Sequence, residues 1–174
     1  MIFETERLEL RELVLDDAKD LFAILSDQET MQYYPRPYSL EKAADWIRRS
    51  TQSYQENQYG LWALVLKSEK KFIGQCGILK IDIDGHPVPE IGYHVNKQYW
   101  NKGLATEAAG KCLEYGFDVL ALEEIFIHTY VKNVPSRRVA EKLRMQIRKE
   151  WDKKVDPSGR IMRHVVFSMK KDEY

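Results

Sequence analysis

The chain has 174 residues, 44% of them hydrophobic and 31% charged, which suits one compact domain over residues 1–174 with a single core. Lysine plus arginine total 27, as do aspartate plus glutamate, so no global field draws the chain to nucleic acid or an anionic membrane, and any phosphate must be held locally. No stretch approaches about 18 uninterrupted apolar residues, the start Met1-Ile2-Phe3-Glu4 has no basic segment ahead of an apolar run, and four scattered histidines with two cysteines offer no metal-ligand spacing; a cytoplasmic protein without a metal is expected.

In chain order, Leu8 to Leu13 alternates apolar and polar residues, as a half-buried strand does. Asp16 or Asp17 is placed to cap a helix with Ala18, Leu21, Phe22, Ile24 and Leu25 on one face, ending near Ser26-Asp27. Prolines exclude regular helix from the Tyr33–Tyr38 loop, after which Ser39 opens an amphipathic helix through Leu40, Ala43, Ala44 and Ile47 to about Ser53. Strands are expected at Leu61–Leu66, Phe72–Ile81 and Glu90–Val95, parted by polar turns that include His86-Pro87-Val88-Pro89. Helical spacing of Ala105, Ala108, Ala109, Cys112, Leu113 and Gly116 predicts a helix from Thr106 to about Val119. A strand at Ile125–Val131, a helix at Pro135–Arg144 and a hairpin of Ile147–Val155 with Met162–Met169 complete the chain. Short connections favour antiparallel pairing. The expected fold class is α+β, a mixed α/β arrangement whose central, mostly antiparallel sheet of about six to seven strands is flanked by helices. Cys76, in a strand, and Cys112, on a helix face, read as buried free thiols.

The stretch from Glu90 to Ala108 runs from a strand through a lysine-glycine turn into a helix. The free N–H groups at such a helix start, with the positive end of its dipole, suit a pyrophosphate. Gly103 lets the backbone approach an anion, Ala105 keeps the surface low, and Lys102 adds a point charge.

Trp100-Asn101-Lys102-Gly103-Leu104-Ala105-Thr106-Glu107-Ala108 resembles the acetyl-CoA pyrophosphate loop of the GNAT superfamily, in its RimJ/RimL-type version. Asn133-Val134-Pro135-Ser136, continuing to Met145, resembles that family's Asn-x-x-Ser helix, Thr5 to Arg11 its opening strand and Arg163 to Phe167 its last strand. Two departures stand out: Asn101 replaces the usual glycine or arginine, and Arg144 replaces a helix-ending glycine, a change that predicts a helix end without the left-handed cap.

The resemblance implies an N-acetyltransferase that moves an acetyl group from acetyl-CoA to a primary amine, on a protein N-terminus or a small molecule, by direct attack in a ternary complex. It implies that Tyr93, His94 and Val95 hold the pantetheine arm by their backbone, that the Val95 N–H polarises the thioester carbonyl, that Trp100 through Thr106 hold the pyrophosphate, and that Asn133 and Ser136 touch the arm. Arg137, Arg138 and Lys142 lie near the adenosine phosphates or in solvent.

An attacking amine must be neutral. At pH 7 deprotonation costs about 4.6 kcal/mol for a lysine-like amine and about 1.4 kcal/mol for an α-amine. A base is therefore expected, with Glu90 first and His128 second. The tyrosine that many GNAT enzymes use as general acid is replaced by Ala140, leaving Ser136 or Tyr130 as substitutes, or else a non-catalytic acetyl-CoA-binding module. The aromatics Tyr33, Tyr34, Tyr38, Trp46 and Trp62 are candidates to line the acceptor cleft. A homodimer is expected by analogy of fold, and no nucleic-acid or membrane partner.

Overall fold

A computed structural model of the chain describes residues 2–174. One eight-stranded sheet runs in the order β1-β2-β3-β4-β5-β6-β8-β7, formed by Phe3–Glu4, Leu8–Glu12, Leu61–Leu66, Lys71–Ile83, His86–Val95, Glu124–Tyr130, Gln146–Lys154 and Ile161–Lys170 for β1 to β8. All neighbours are antiparallel except β5 and β6, which are parallel and meet at the single pair Glu90↔Phe126. The helices are α1 (Ala18–Leu25), α2 (Leu40–Asn57), α3 (Leu104–Asp118) and α4 (Val134–Lys142).

The period-2 pattern of β3 divides the core. Leu61 and Ala63 face α1 and α2, joining Leu21, Leu25, Ala43 and Ile47, whereas Trp62 and Leu64 belong to the larger cluster under α3 and α4. Ala108, Ala109, Cys112, Leu113 and Phe117 form the buried face of α3, whose small residues let the helix lie close to the sheet. Cys76 and Cys112 are free and buried, with their sulfurs 3.7 Å apart.

Several boundaries differ from the sequence expectation. His86 to Pro89 is strand rather than turn: β4 and β5 form one long hairpin about Asp84-Gly85, and pairing continues through Asp82↔Pro87 and Lys80↔Pro89. Prolines two residues apart lose their donors on the same edge of a strand, here the edge turned away from β4. Asp17 does not cap α1 from the N-cap position. It closes a 3-10 turn at Leu15–Asp17, accepting from the Val14 N–H at 2.9 Å and from both terminal nitrogens of Arg11. Helix α2 is capped by Ser39, as its sequence predicts, but continues to Asn57. Arg144 does adopt the left-handed conformation, at φ 60°, so α4 keeps the cap that the missing glycine seemed to remove. Its N–H donates to Glu141 O and that of Met145 to Ala140 O.

Candidate active site

Two cavities open where β5 and β6 part. The first, about 350 Å³, lies between the end of β5, the start of α3 and α4. Between β5 and α3 the chain makes a 3-10 turn at Lys97–Tyr99, fixed by Asn96, whose side chain accepts from the Gln98 N–H. The Trp100 indole N–H then ties the loop to the strand by donating to Val95 O at 2.7 Å. Asn101 (φ 60°) and Gly103 (φ 79°) turn the chain into α3, and asparagine is among the few residues besides glycine that tolerate this conformation. The N–H groups of Leu104, Ala105 and Thr106 find no acceptor in the protein and stand at the positive end of a 15-residue helix.

Every residue expected at the cofactor lines this cavity except Lys102: Tyr93, His94, Val95, Trp100, Asn101, Gly103, Leu104, Ala105, Thr106, Asn133 and Ser136. The Lys102 ammonium lies 5.1 Å above the Tyr99 ring instead, while Arg138 and Lys142, from α4, supply the cations of the cavity wall. Arg137 turns away and donates to Val131 O.

Arg7 and Glu107 brace the loop, which neither residue's local sequence discloses. Arg7 donates to Lys102 O at 2.9 Å and pairs with Glu107, which also accepts from the Arg7 N–H and the Thr5 hydroxyl. Burial works to raise the Glu107 pKa, but the hydrogen bonds from Thr5 and Arg7 prevail and hold it below the ordinary 4.5. The partners are about a hundred residues apart, so only the resemblance of the opening strand hinted at them.

At the end of β5 the Asn96 N–H donates across to Ile73 O on β4, at 2.8 Å. Alternation along a strand therefore turns the Val95 N–H toward the gap left by β6. On the opposite wall Asn133 caps α4 by accepting from the Ser136 N–H, and the Ser136 hydroxyl lies 2.9 Å from the Tyr93 hydroxyl. Burial raises the Tyr93 pKa, so the phenol keeps its proton at neutral pH.

The second cavity, about 280 Å³, continues from the first; Tyr33, Tyr34, Tyr93, His94, Asn133 and Ser136 line both. It also holds Glu90 and His128, brought together because Glu90 stands where β5 pairs with β6. Glu90 is 6% exposed, and its Oε1 meets both His128 Nδ1 and the His128 backbone N–H. Lys153, on β7, reaches His128 Nε2 at 2.8 Å. Lys153 is half-buried, and desolvation lowers its pKa more than nearby Glu90 raises it. His164 closes the cluster, its Nδ1 donating to Met162 O at 2.9 Å and its ring 5.2 Å from that of His128. Burial above all, with the Lys153 ammonium nearby, pushes His164 down to about 4. Of the five aromatics expected here, Tyr33, Tyr34, Tyr38 and Trp46 line the cavity. Trp62 does not: it is 1% exposed and packs edge-on against Phe3 and Tyr115, because its place in β3 faces the α3 side of the sheet.

Residues 7–146 match the acetyltransferase (GNAT) domain family. The chain belongs to the GNAT acetyltransferases. It is 33% identical to N-acetyltransferase p20 of Bacillus licheniformis over 98% of its own length and 96% of that protein's. Its fold is similar to that of a GNAT-family acetyltransferase from Bacillus anthracis, with a TM-score of 0.82 at 27% identity over 98% of both chains. It also matches a ribosomal-protein-S5-alanine acetyltransferase from Vibrio fischeri, with a TM-score of 0.80 at 20% identity over 99% of this chain and 97% of the other; at that identity only the fold is shared.

GNAT enzymes use acetyl-CoA, and this chain is accordingly an acetyl-CoA-dependent acetyltransferase. The first cavity fits that cosubstrate: unclaimed helix donors face it, Arg138 and Lys142 supply positive charge, and an open strand edge can take amide groups. The tyrosine that many GNAT enzymes carry on this helix is replaced here by Ala140, which is fully buried. Tyr130 lines only the second cavity, whereas the Tyr93–Ser136 pair sits where the two cavities join.

Proposed function

We propose that the protein acetylates a primary amine by direct attack in a ternary complex, with Glu90 as general base. The observation that carries this reading is the continuity of the two cavities through the Tyr93–Ser136 hydroxyl pair, with the unpaired strand edge at Val95 in the first and the Glu90 carboxylate in the second. Glu90 Oε1 is occupied by His128, but Oε2 accepts no hydrogen bond from the protein and is the oxygen that takes the amine proton, directly or through a water. His128 positions the carboxylate: with its Nδ1 proton toward Glu90, its Nε2 accepts from Lys153.

The Val95 N–H donates to the thioester oxygen as negative charge builds there, and as a fixed donor away from water it needs no reorganisation. The N–H groups of Leu104, Ala105 and Thr106 hold the pyrophosphate, while Arg138 and Lys142 attend the more distal phosphate. Asn133 and Ser136 line the path of the arm. When the Tyr93 hydroxyl donates to Ser136 Oγ, the serine proton is left for the departing sulfur.

Glu90→Gln preserves shape and removes the base. The expected result is a loss of about 10²-fold or more in amine acetylation, followed by CoA thiol release, with unchanged acetyl-CoA affinity in a direct titration. Unchanged turnover in this variant would remove Glu90 from the chemistry.

A further inference from the structure

The acceptor cavity has a charge pattern that acetyl transfer does not itself require. Glu90 is the only carboxylate among its lining residues, and it is already matched by His128 and, one step on, by the Lys153 ammonium. Lys154 lies beside Lys153 in the same wall. Behind Tyr38, which lines the cavity, the Lys42 ammonium sits 3.9 Å over the ring without itself lining it. Burial, and then the nearness of Arg36 and Arg49, hold Lys42 below its usual range. None of these five cations forms an ion pair with a carboxylate among the described residues. In a chain with a formal net charge of zero, Lys153 and Lys154 in the lining, with Lys42, Arg36 and Arg49 outside it, give this side of the molecule a local excess of positive charge.

A second observation concerns His94, which lines both cavities. The Gln75 amide nitrogen is 3.2 Å from Nδ1, an orientation that leaves Gln75 Oε1 without a partner and assigns the ring proton to Nε2. That Nε2 is shut off from water and has no partner in the protein. A buried N–H without an acceptor is unfavourable. A polyamine would bring a further positive charge to a cleft whose one carboxylate, Glu90, is already taken up by the attacking amine. The volume of about 280 Å³ accommodates a small molecule.

We propose that the acceptor is a small primary amine carrying a carboxylate or phosphate, and that Lys153 is the specificity-determining residue that pairs with this anion. The inference rests on the acetyl-transfer reading above.

The test compares kcat/KM, expressed per unprotonated amine, within matched pairs: a free amino acid against its amide, and aminoethyl phosphate against ethanolamine, with spermidine and a short neutral peptide alongside. The wild type should favour the anionic member of at least one pair by about tenfold or more, and the pair that shows it identifies the anion. Lys153→Met should bring that ratio close to unity, and Lys153→Arg should keep it. Because the contact of Lys153 with His128 affects both members of a pair, the ratio isolates recognition of the anion. The wild-type ratios stand as a test even if a variant does not fold. Preference for the amide, ethanolamine, spermidine or the peptide, or an undiminished ratio in the Met variant, would overturn the inference and leave acetyl transfer intact. Failure to release CoA thiol with any of these amines would overturn both readings.

Discussion

Arg144 holds a left-handed backbone at the end of α4 with its side chain exposed. A non-glycine residue there loses about 1–2 kcal/mol to the contact of its Cβ with the backbone, while glycine loses part of that in the greater freedom of its unfolded chain. Arg144→Gly should therefore stabilise the fold by about 0.5 kcal/mol, measured by denaturant unfolding, without altering the cavity that α4 borders. Asn101 has the same geometry with less strain, since its short polar side chain suits that region. Both positions were visible in the sequence as departures from a family pattern; which backbone each would adopt was not.

Among the elements, β4 and β5 decide the shape of the site. Gly74 pairs with Val95 at φ 152°, and a Cβ placed there would stand 2.1 Å from His94 O. Gly74→Ala should thus push the end of β5 into the gap, lowering stability by about 2–3 kcal/mol and weakening acetyl-CoA binding together. A thermal melt and a cosubstrate titration on one sample check this, and a loss of stability with full affinity would argue against it. The helices were legible because burial repeats at helical spacing, as Ala108, Cys112 and Leu113 show in α3. The extent of the β4–β5 hairpin was not, because its prolines read as a turn until the unpaired strand edge is known. In the site, Glu90, His128 and the glycine loop could be found from local sequence and resemblance. Lys153 could not, for it meets His128 only through pairing of the last three strands.

At the scale of the whole molecule, acid should act in two stages. Burial pushes His94 and His164 each down to about 4 from an ordinary 6.5, so the unfolded chain binds protons that the native state refuses. Their contribution is complete above pH 6.5 and is lost as pH falls toward 4. Glu107, held below 4.5, and Asp27, lowered to about 2 chiefly by its hydrogen bond from Lys97, keep their contributions until a more acidic range. The denaturant midpoint should fall between pH 6.5 and 4, and less steeply in His164→Gln; an equal slope in that variant would show that its neutrality is unimportant.

Among the described residues, the solitary pair Glu90↔Phe126 is also the only strand pairing between the block β1–β5 and the block β6–β8–β7. The sheet thus contains an expansion joint, pinned at one point and open beyond it. A cosubstrate arm lying in that opening would be a structural member as well as a reagent, the missing rung between two ladders. Loading the enzyme should stiffen the molecule across its middle, and release of the spent carrier should loosen it, so that each turnover is also one cycle of mechanical closing and opening.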